Sequence, residues 1–469
     1  MTSALRYKRR RLVTSQKGDI MIMTLVFVLI FVLIATGLLN LVSYQQRLGA
    51  QQQALMTAFE LAEAGTNYYR WHLAHDVEDY ADGTGAVGCN PCGPYVHEYT
   101  DPSGGVIGSF SLMVTPPEPG STIVKVRATG WAADRPETKR QVAVSIGQPS
   151  LAAYTTVVNS NLSYGSTAET YGPVHSNGGV KFDGVAHNIV TSALEQYWYG
   201  GAWRDGVWTS QPDEGAVFLA GTSFPVPAVD FAGFTQDLNT MESAASSDGV
   251  LLNPSGYAGY HVQFQTGTTF RYRIVATKTA DCNGQPTGGI QSYAGDWLNL
   301  PIPDNGLIFV KDDVWVDGTI DQSRTTVVAA REPLDTGTAN IYLNTDLLYT
   351  SKAGADVIGL IAQNNVIIGL YSEDDLELDA IIIAKNGRRY RPDYGSIFQC
   401  GATVVRDAFT LYGSTISNLT PYMSSGSSGY SIRDYIYDPN TLYAPPPFFP
   451  TTGEYDVILW EEVLAGESS

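Results

Sequence analysis

The hydrophobic pattern is most decisive near the N-terminus. Among the sixteen residues of Ile20–Ala35 only Thr24 is polar, and the apolar character continues more loosely to Val42. A stretch of this length predicts a membrane-spanning helix, because about 20 helical residues cross a bilayer core. Residues 1–18, ahead of this stretch, contain six basic residues and no acidic residue. The positive-inside rule therefore predicts a cytoplasmic N-terminus, with everything after Val42 outside.

The helical pattern continues beyond the apolar stretch. Residues 43–76 lack proline, and their larger apolar side chains recur at spacings of three, four and seven residues, which is the pattern of one helical face. These side chains are Leu48, Leu55, Phe59, Ala62, Tyr69 and Leu73. We therefore expect a transmembrane and extended amphipathic helix over residues 19–77, whose second half offers an apolar stripe to a domain or to neighbouring subunits.

Residues 78–149 change to the pattern of a small antiparallel sheet. A loop rich in Asp and Gly is expected up to about Gly104, followed by strands at Val106–Val114, Thr122–Ala132 and Lys139–Ile146. Proline-containing turns separate these runs, and apolar and polar side chains alternate along them. This alternation is typical of half-buried antiparallel strands.

Residues 150–430 consist of short β-rich runs that end repeatedly in Asn-Gly, Asp-Gly or Gly-Ser turns. No helical stretch is long enough for βαβ crossovers, so the pattern favours a parallel β-helix or similar solenoid. A β-sandwich with long loops is the alternative. Residues 195–300 are richer in Trp, Pro and Ser and are interpreted as an insertion between two solenoid portions.

The C-terminal segment, residues 431–469, contains three consecutive prolines from Pro445 and a last strand-like run at Tyr455–Trp460. Proline-rich chain is extended and semi-rigid. We expect this tail to cover an open end of the solenoid, where strand edges are otherwise unpaired. The predicted fold class is α+β and mainly β: a long helix, a small antiparallel sheet and a β-helix-like domain.

The N-terminal region also resembles a known family. A basic leader ends in Lys17-Gly18, an apolar helix follows at once, and the helix runs into the sequence Ala62-Glu63-Ala64-Gly65. This looks like a type IV pilin or type II secretion pseudopilin, and in particular a minor pilin. The resemblance implies that a prepilin peptidase cuts between Gly18 and Asp19, and that the helix packs into a filament core.

Two positions depart from the family pattern. The first mature residue is usually apolar but is Asp19 here, and the fifth is usually Glu but is Met23 here. In the family that Glu neutralises the terminal amine of a neighbouring subunit, so its absence favours a minor component, such as one at a filament tip. The alternative is an uncleaved signal anchor.

The charge balance limits the class of partner. The 469 residues carry 28 basic and 47 acidic side chains, a formal net charge of −19. Nucleic-acid binding depends on Lys and Arg displacing counterions, so nucleic acid is not favoured as a partner. Lys385, Arg388, Arg389 and Arg391 form the most basic patch of the exported part, interpreted as a solvated loop or a grip on an anionic polymer.

The chemistry-bearing residues favour structural interpretations. Cys89 and Cys92 form a C-x-x-C in a loop, for which a small disulfide is favoured over zinc, redox use or free thiols. Acidic clusters at 312–321 and 373–379 match neither the EF-hand spacing nor a nonapeptide calcium repeat and are interpreted as solvated turn residues. We therefore predict no metal, no cofactor and no enzymatic activity.

One aromatic cluster is the best candidate for ligand contact. Five large rings fall within twelve residues, interleaved with Gly200 and Gly201: Tyr197, Trp198, Tyr199, Trp203 and Trp208. Such a cluster stacks on sugar rings, anchors a protein contact, or forms the core of the insertion. These interpretations remain open at the level of sequence.

Together these features predict a minor pilin-like subunit, anchored in the cytoplasmic membrane and displaying a β-rich contact domain on the cell surface. Its expected partners are the lipid bilayer, other pilin-like subunits with their assembly platform, the prepilin peptidase and surface glycans. A signal-anchored surface protein outside any filament is the first alternative. A polysaccharide-active β-helix enzyme is the second.

Overall fold

The fold was analysed in a computed structural model that describes residues 17–118, 120–231, 238–395, 403–451 and 453–463. Side chains are described from Ile20 onward. Of the predicted leader, residues 1–16 lie outside the described residues. The backbone of Gly18 and Asp19 is described, but the side chain of Asp19 lies outside the described part.

The N-terminal element is one continuous helix, α1 (Lys17–His75), of 59 residues. Its described apolar part is exposed, and it is long and apolar enough to cross a bilayer. The second half is different, because Ala58, Leu61, Ala62 and Tyr69 are almost fully buried. The predicted long apolar helix is therefore confirmed, and its two halves face different surroundings.

A five-stranded antiparallel sheet, the head sheet, packs on the second half of α1. Its first four strands are β1 (Cys92–Thr100), β2 (Val106–Thr115), β3 (Ile123–Ala132) and β4 (Lys139–Gly147). The predicted antiparallel sheet is confirmed. Strand β1 lies inside the segment predicted to be a loop. Its residues are mostly exposed, so no apolar alternation marked it in the sequence.

Glycine allows α1 to lie directly on the head sheet. A Cβ atom at Gly130 in β3 would overlap the backbone of Ala58 and Ala62 in the helix. A Cβ atom at Gly108 in β2 would likewise meet Leu61. The bare sheet surface at these points lets the small alanines of the helix sit against it, and larger apolar side chains such as Tyr69 and Leu73 fill the core on either side.

The next part of the chain contains short strands and one short helix. They are β5 (Thr156–Val158), β6 (Leu162–Tyr164), β7 (Ala168–Thr170), β8 (Val174–Ser176), β9 (Val180–Phe182), β10 (Val185–Ala186), β11 (Val190–Ser192), β12 (Gln196–Tyr199), β13 (Ala202–Asp205), β14 (Val207–Trp208), α2 (Glu214–Val217) and β15 (Thr222–Ser223).

A second helix and longer strands follow. They are α3 (Leu238–Ser247), β16 (Val250–Leu252), β17 (Gly259–Gln265), β18 (Thr269–Ala280), β19 (Pro286–Pro301), β20 (Leu307–Val310), β21 (Val314–Ile320), β22 (Arg324–Ala329), β23 (Ile341–Tyr342), β24 (Leu347–Tyr349), β25 (Val357–Ala362), β26 (Val366–Ile367), β27 (Asp375–Ala384), β28 (Arg389–Tyr390), β29 (Val405–Ser417), β30 (Ser424–Ser425), β31 (Ser428–Ile436) and β32 (Asp456–Val463).

Ten of these strands form one parallel ladder. Its spatial order is β16, β20, β22, β25, β27, β29, β5, β8, β11 and β15. At about 4.8 Å per strand spacing the ladder is about 43 Å long. Parallel pairing, which a β-helix requires and a β-sandwich lacks, therefore runs through the large β-rich part.

The ladder order differs from the chain order. The chain enters the ladder at β5, runs outward to β15, crosses to β16 at the opposite end and returns through β29, which pairs with β5. The crossing segment contains α3, whose Leu238, Met241 and Ala245 are buried against the ladder.

The predicted insertion at 195–300 includes four strands of the parallel assembly. Strands β14, β15, β16 and β17 pair in parallel with β9, β11, β20 and β21, respectively. The Gly, Tyr and Gln content of β17 hid this role, because Gly259–Gln265 has no continuous apolar run. The parts that project from the ladder are smaller than the predicted insertion. They are the hairpin β12–β13 and the long antiparallel pair β18–β19.

The tail takes a different course from the predicted one. Strand β31 joins the parallel ladder beside β29 and β7, and β32 leaves it to pair antiparallel with β4 of the head sheet. Between them Thr326 donates to the carbonyl of Pro447, which fixes the proline segment along the ladder. The tail thus completes the head sheet, since β4 would otherwise present an open edge.

Because the backbone of α1 lies so close to Gly130, adding one methyl group there should destabilise the packing of the helix on the sheet. We expect Gly130→Ala to destabilise the head by about 1–3 kcal/mol, because the helix must move off the sheet. Gly49→Ala is the matched control: no atom lies within 4 Å of a Cβ there, and the change favours the helix by about 1 kcal/mol. Hydrogen exchange of α1 and β3 in the full chain measures both. Equal protection in the two variants would contradict the packing.

A second prediction concerns Asp79, which holds the loop after α1. Burial alone would raise its pKa, but hydrogen bonds from the amides of Ala81 and Gly83 (2.9 and 2.6 Å) and the nearby His72 (3.0 Å) outweigh this and lower the pKa. The stabilisation is therefore present at neutral pH and lost as the pH falls through the lowered pKa.

We accordingly expect Asp79→Asn to lower the melting temperature at about pH 7, with a deficit that shrinks on acidification. Asp134→Asn, in an exposed turn of the head, is the control and should change little at either pH. Calorimetry between about pH 7 and pH 3 makes the comparison. A deficit for Asp79→Asn that stays constant over this range would contradict the assignment.

Candidate functional site

The predicted aromatic cluster folds as a β-hairpin that projects from the parallel assembly. Strands β12 and β13 pair antiparallel and form a two-stranded sheet. Gly200 and Gly201 connect them, both with positive φ (59° and 85°), as a tight two-residue hairpin turn requires. Alternate residues of such a strand point to opposite faces, so the hairpin divides the cluster between two faces.

The inner face of the hairpin is packed. Tyr197 is buried, and a Cβ atom at Gly179 would overlap its ring. The Nε1–H of Trp208 donates to the Tyr197 hydroxyl at 2.8 Å, and Tyr199 meets Trp208 edge to face at 5.5 Å. Burial raises the pKa of Tyr197. These three rings support the hairpin, as the core interpretation of the cluster predicts for them.

The outer face is exposed. Trp198 and Trp203 lie directly opposite each other across the two strands, with ring centroids 5.8 Å apart, and are 59% and 66% exposed. Two neighbouring exposed indoles are an unusual feature for a solvated surface, and large aromatic rings are the side chains that most often anchor binding. The pair, called here the Trp pair, is the exposed part of the cluster.

A disulfide joins Cys89 and Cys92. Neither sulfur is then available as a zinc ligand or a free thiol. Cys282 is also disulfide-bonded. Beside Cys89 and Cys92 lies an open cavity of about 510 Å³ that Asp76, Tyr80 and Val87 also line.

Several acidic side chains that were predicted to be solvated turn residues instead form ion pairs. Asp313 lies 2.6 Å from Lys278 and also pairs with Arg331, and the buried Asp379 lies 2.9 Å from Lys352. Burial raises the pKa of Asp379 despite this partner and the amide of Tyr349. Within the described residues, His, Cys, Asp and Glu side chains form no group of three suited to a metal ion.

The predicted basic patch is partly internal. Arg389 and Arg391 are 1% exposed. The Nε–H of Arg389 donates to the Thr415 hydroxyl at 3.0 Å, and an N–H of Arg391 donates to the Leu370 carbonyl at 3.2 Å. Their alternation with Arg388 and Tyr390 along a strand turns them inward, so they cannot grip an anionic polymer.

A further cluster of polar and aromatic residues was missed at the level of sequence. His261, Tyr293, Asp317 and Tyr371 line one cleft although they span more than a hundred positions of the chain. No spacing within the sequence links them, because the parallel pairing of β17 with β21 and the antiparallel β18–β19 pair bring them together.

Comparisons with known proteins give little further constraint. No protein-family model matches the chain, and no curated protein matches it. Among solved structures, the competence-associated pilin ComZ from Thermus thermophilus is similar, at 13% identity over 87% of this chain and 97% of that chain, with a TM-score of 0.30. A TM-score this low carries no argument about the site.

Because the hairpin has a packed face and an exposed face, substitutions at neighbouring residues should differ strongly in their effect on stability. We expect Tyr197→Ala to cost about 3–5 kcal/mol, because it empties a packed site and leaves Trp208 without its acceptor. Trp198→Ala should change stability by less than about 0.5 kcal/mol. Denaturant unfolding of the full chain, with hydrogen exchange at 196–208, measures both. A larger loss for Trp198→Ala than for Tyr197→Ala would reverse the assignment of the two faces.

Proposed function

We propose that this chain is a minor pilin-like subunit that helps assemble or tip a type IV pilus-like filament and displays a β-rich contact domain outside the cell. The observation that carries the proposal is α1, a single helix whose first half is exposed and apolar and whose second half is buried against an antiparallel sheet. A membrane anchor needs only the first half. A helix that continues into a folded head suits a subunit that leaves the bilayer for a filament.

The exposure of the first half of α1 indicates that other molecules surround this part of the helix. Side chains from Ile20 to Val42 include large apolar residues that are about half exposed or more, such as Phe31 at 70%. Apolar area of this extent is stable only when covered. Lipid covers it before assembly, and the helices of other pilin-like subunits cover it afterwards.

The N-terminal sequence supports processing by a prepilin peptidase at Gly18–Asp19, as the family resemblance implies. Met23 stands where the family usually has Glu, and this favours a minor position over that of a repeating building block. We propose the orientation given by the basic leader: N-terminus in the cytoplasm, and the head and the β-rich part at the cell surface.

We further propose that the large β-rich part is a β-helix-like solenoid that acts by contact and not by catalysis. Support comes from the ten-strand parallel ladder and from the short strands beside it, which pair in parallel as β7 with β10 and β23 with β26. The Trp pair on the projecting hairpin gives this domain a contact surface for a protein or a surface glycan.

The N-terminus of the mature chain tests the proposal. We expect intact-mass and N-terminal peptide spectrometry on membrane-derived protein, made in cells with a prepilin peptidase, to find a chain that begins at Asp19. Gly18→Val should retain the leader, since the family enzyme cuts after glycine. Gly49→Ala, in the same helix, should be processed normally.

An intact leader from Met1 in the wild-type protein would contradict the filament proposal. It would leave the alternative of a signal-anchored surface protein that never joins a filament. The same preparation, treated with a lysine-reactive cross-linker, should give adducts with other pilin-like subunits only when the leader has been removed.

A further inference from the structure

A group of hydrogen-bonding and aromatic side chains, separate from the Trp pair, lies in one cleft of the β-rich part. The cleft has a volume of about 410 Å³, within the range of small-molecule sites. Strand β19 forms one wall, and three successive levels of the parallel assembly form the floor. The lining residues are His261, Thr279, Gly289, Ile290, Tyr293, Trp315, Val316, Asp317, Tyr342, Asn344, Thr345 and Tyr371.

The wall is fixed in position by hydrogen bonds to its backbone. The indole N–H of Trp315 and the side-chain amide of Asn344 both donate to the carbonyl of Gly288, at 2.8 and 2.9 Å. The amide of Leu370 donates to the carbonyl of Thr287 at 2.8 Å. Gly288 has a φ of 79°, and a Cβ there would lie 2.9 Å from Gly369. The cleft is therefore preformed.

A hydrogen-bonded chain crosses the cleft from floor to wall. The Asp317 carboxylate accepts from the Gln263 amide at 2.7 Å and lies 2.7 Å from His261 Nε2, while His261 Nδ1 lies 2.8 Å from the Tyr293 hydroxyl. His261 and Asp317 are 7% and 9% exposed. Buried polar groups held in this way present lone pairs and protons in fixed directions.

Aromatic rings border these polar groups. Tyr371 is 57% exposed at the rim, and Tyr293 is partly exposed on the wall, where it stacks on His261 with centroids 5.9 Å apart. Trp315 and Tyr342 stack on each other beneath them at 4.5 Å and are buried. Tyr371 thus offers a free ring face beside an array of hydrogen-bonding groups.

This combination selects the chemistry of the ligand. Among the described residues that line the cleft, Asp317 is acidic and none is Lys or Arg. The whole chain is also strongly acidic. The Asp317 carboxylate repels an anionic polymer, whereas the hydroxyl groups of a neutral sugar donate to it. The apolar face of a pyranose ring matches the exposed face of a tyrosine.

We propose that this cleft binds a neutral oligosaccharide and holds it without cleaving it. The floor spans β21 and the chain segments after β23 and before β27, so consecutive sugar rings lie along the direction in which the strands stack. The proposal goes beyond the role as a filament subunit and does not depend on it. The site is also separate from the Trp pair, with which it shares no residue.

The test uses the full chain in lipid nanodiscs, with chitohexaose and cellohexaose as neutral probes and polygalacturonate as the anionic probe. Calorimetry should detect at least one neutral probe and no polygalacturonate. Tyr371→Ala should weaken neutral binding about tenfold, as expected for loss of one aromatic contact. Asp317→Asn should weaken it further, because His261 and Gln263 lose their charged acceptor.

Tyr257→Ala is the matched control, since Tyr257 is 59% exposed and does not line the cleft. It should leave binding unchanged, and circular dichroism should show that all variants are folded. The proposal is overturned by the absence of neutral binding at millimolar probe, by an equal loss in Tyr257→Ala and Tyr371→Ala, by stronger binding of polygalacturonate, or by release of reducing ends from the probes.

Discussion

The architecture depends on the pairing of the last strand, β32, with β4 of the head sheet. This pairing makes the large β-rich part an insertion between two adjacent strands of the head. Its two connections leave the sheet side by side, since Asp456 lies opposite Gly147. They remain together afterwards: the Ser150 hydroxyl donates to the carbonyl of Thr441 and the Ser150 amide to that of Leu442, both at 2.7 Å. The β-rich part is therefore held at two points.

The same constraint explains the unusual strand order of the ladder. A chain that enters and leaves at neighbouring points must return to where it began. It does so by entering the ladder internally at β5, extending to one end, crossing along α3 to the other end and returning to pair β29 with β5. The joint between the two halves lies inside the ladder, and the projecting hairpin and the β18–β19 pair lie in different halves of the chain's course. The exposed Trp pair and the cleft beside β19 are therefore separate in the fold.

What could be predicted from the sequence was local. The helix α1 and the strands β2–β4 follow from periodicities within short windows, and the structure has them near the predicted bounds. The alternation within β12 would also have separated Tyr197 from Trp198, had the hairpin been recognised from Gly200 and Gly201. The pairing of β32 with β4 could not be predicted in this way, because more than 300 residues separate the partners and either strand alone fits many edges.

The cleft has the same origin. His261 and Asp317 belong to the neighbouring parallel strands β17 and β21. Tyr293 reaches them from β19, which is separated from β17 by the antiparallel strand β18. Each residue is unremarkable in its own segment, and an acidic residue in a turn-rich sequence is usually solvated. Only the register between strands makes them partners. Chemistry that depends on register is invisible to spacing, whereas chemistry that depends on adjacent residues, such as that of Cys89 and Cys92, is visible.

The two connections also determine how force passes between the β-rich part and the head. A pull on the β-rich part reaches the head through β4 and β32 together, because both connections leave at the same end of that strand pair. Pulling both strands in one direction does not peel β32 from β4. The load instead falls on the β3–β4 ladder and on the contact between the sheet and α1, where Gly130 lies directly against the helix backbone.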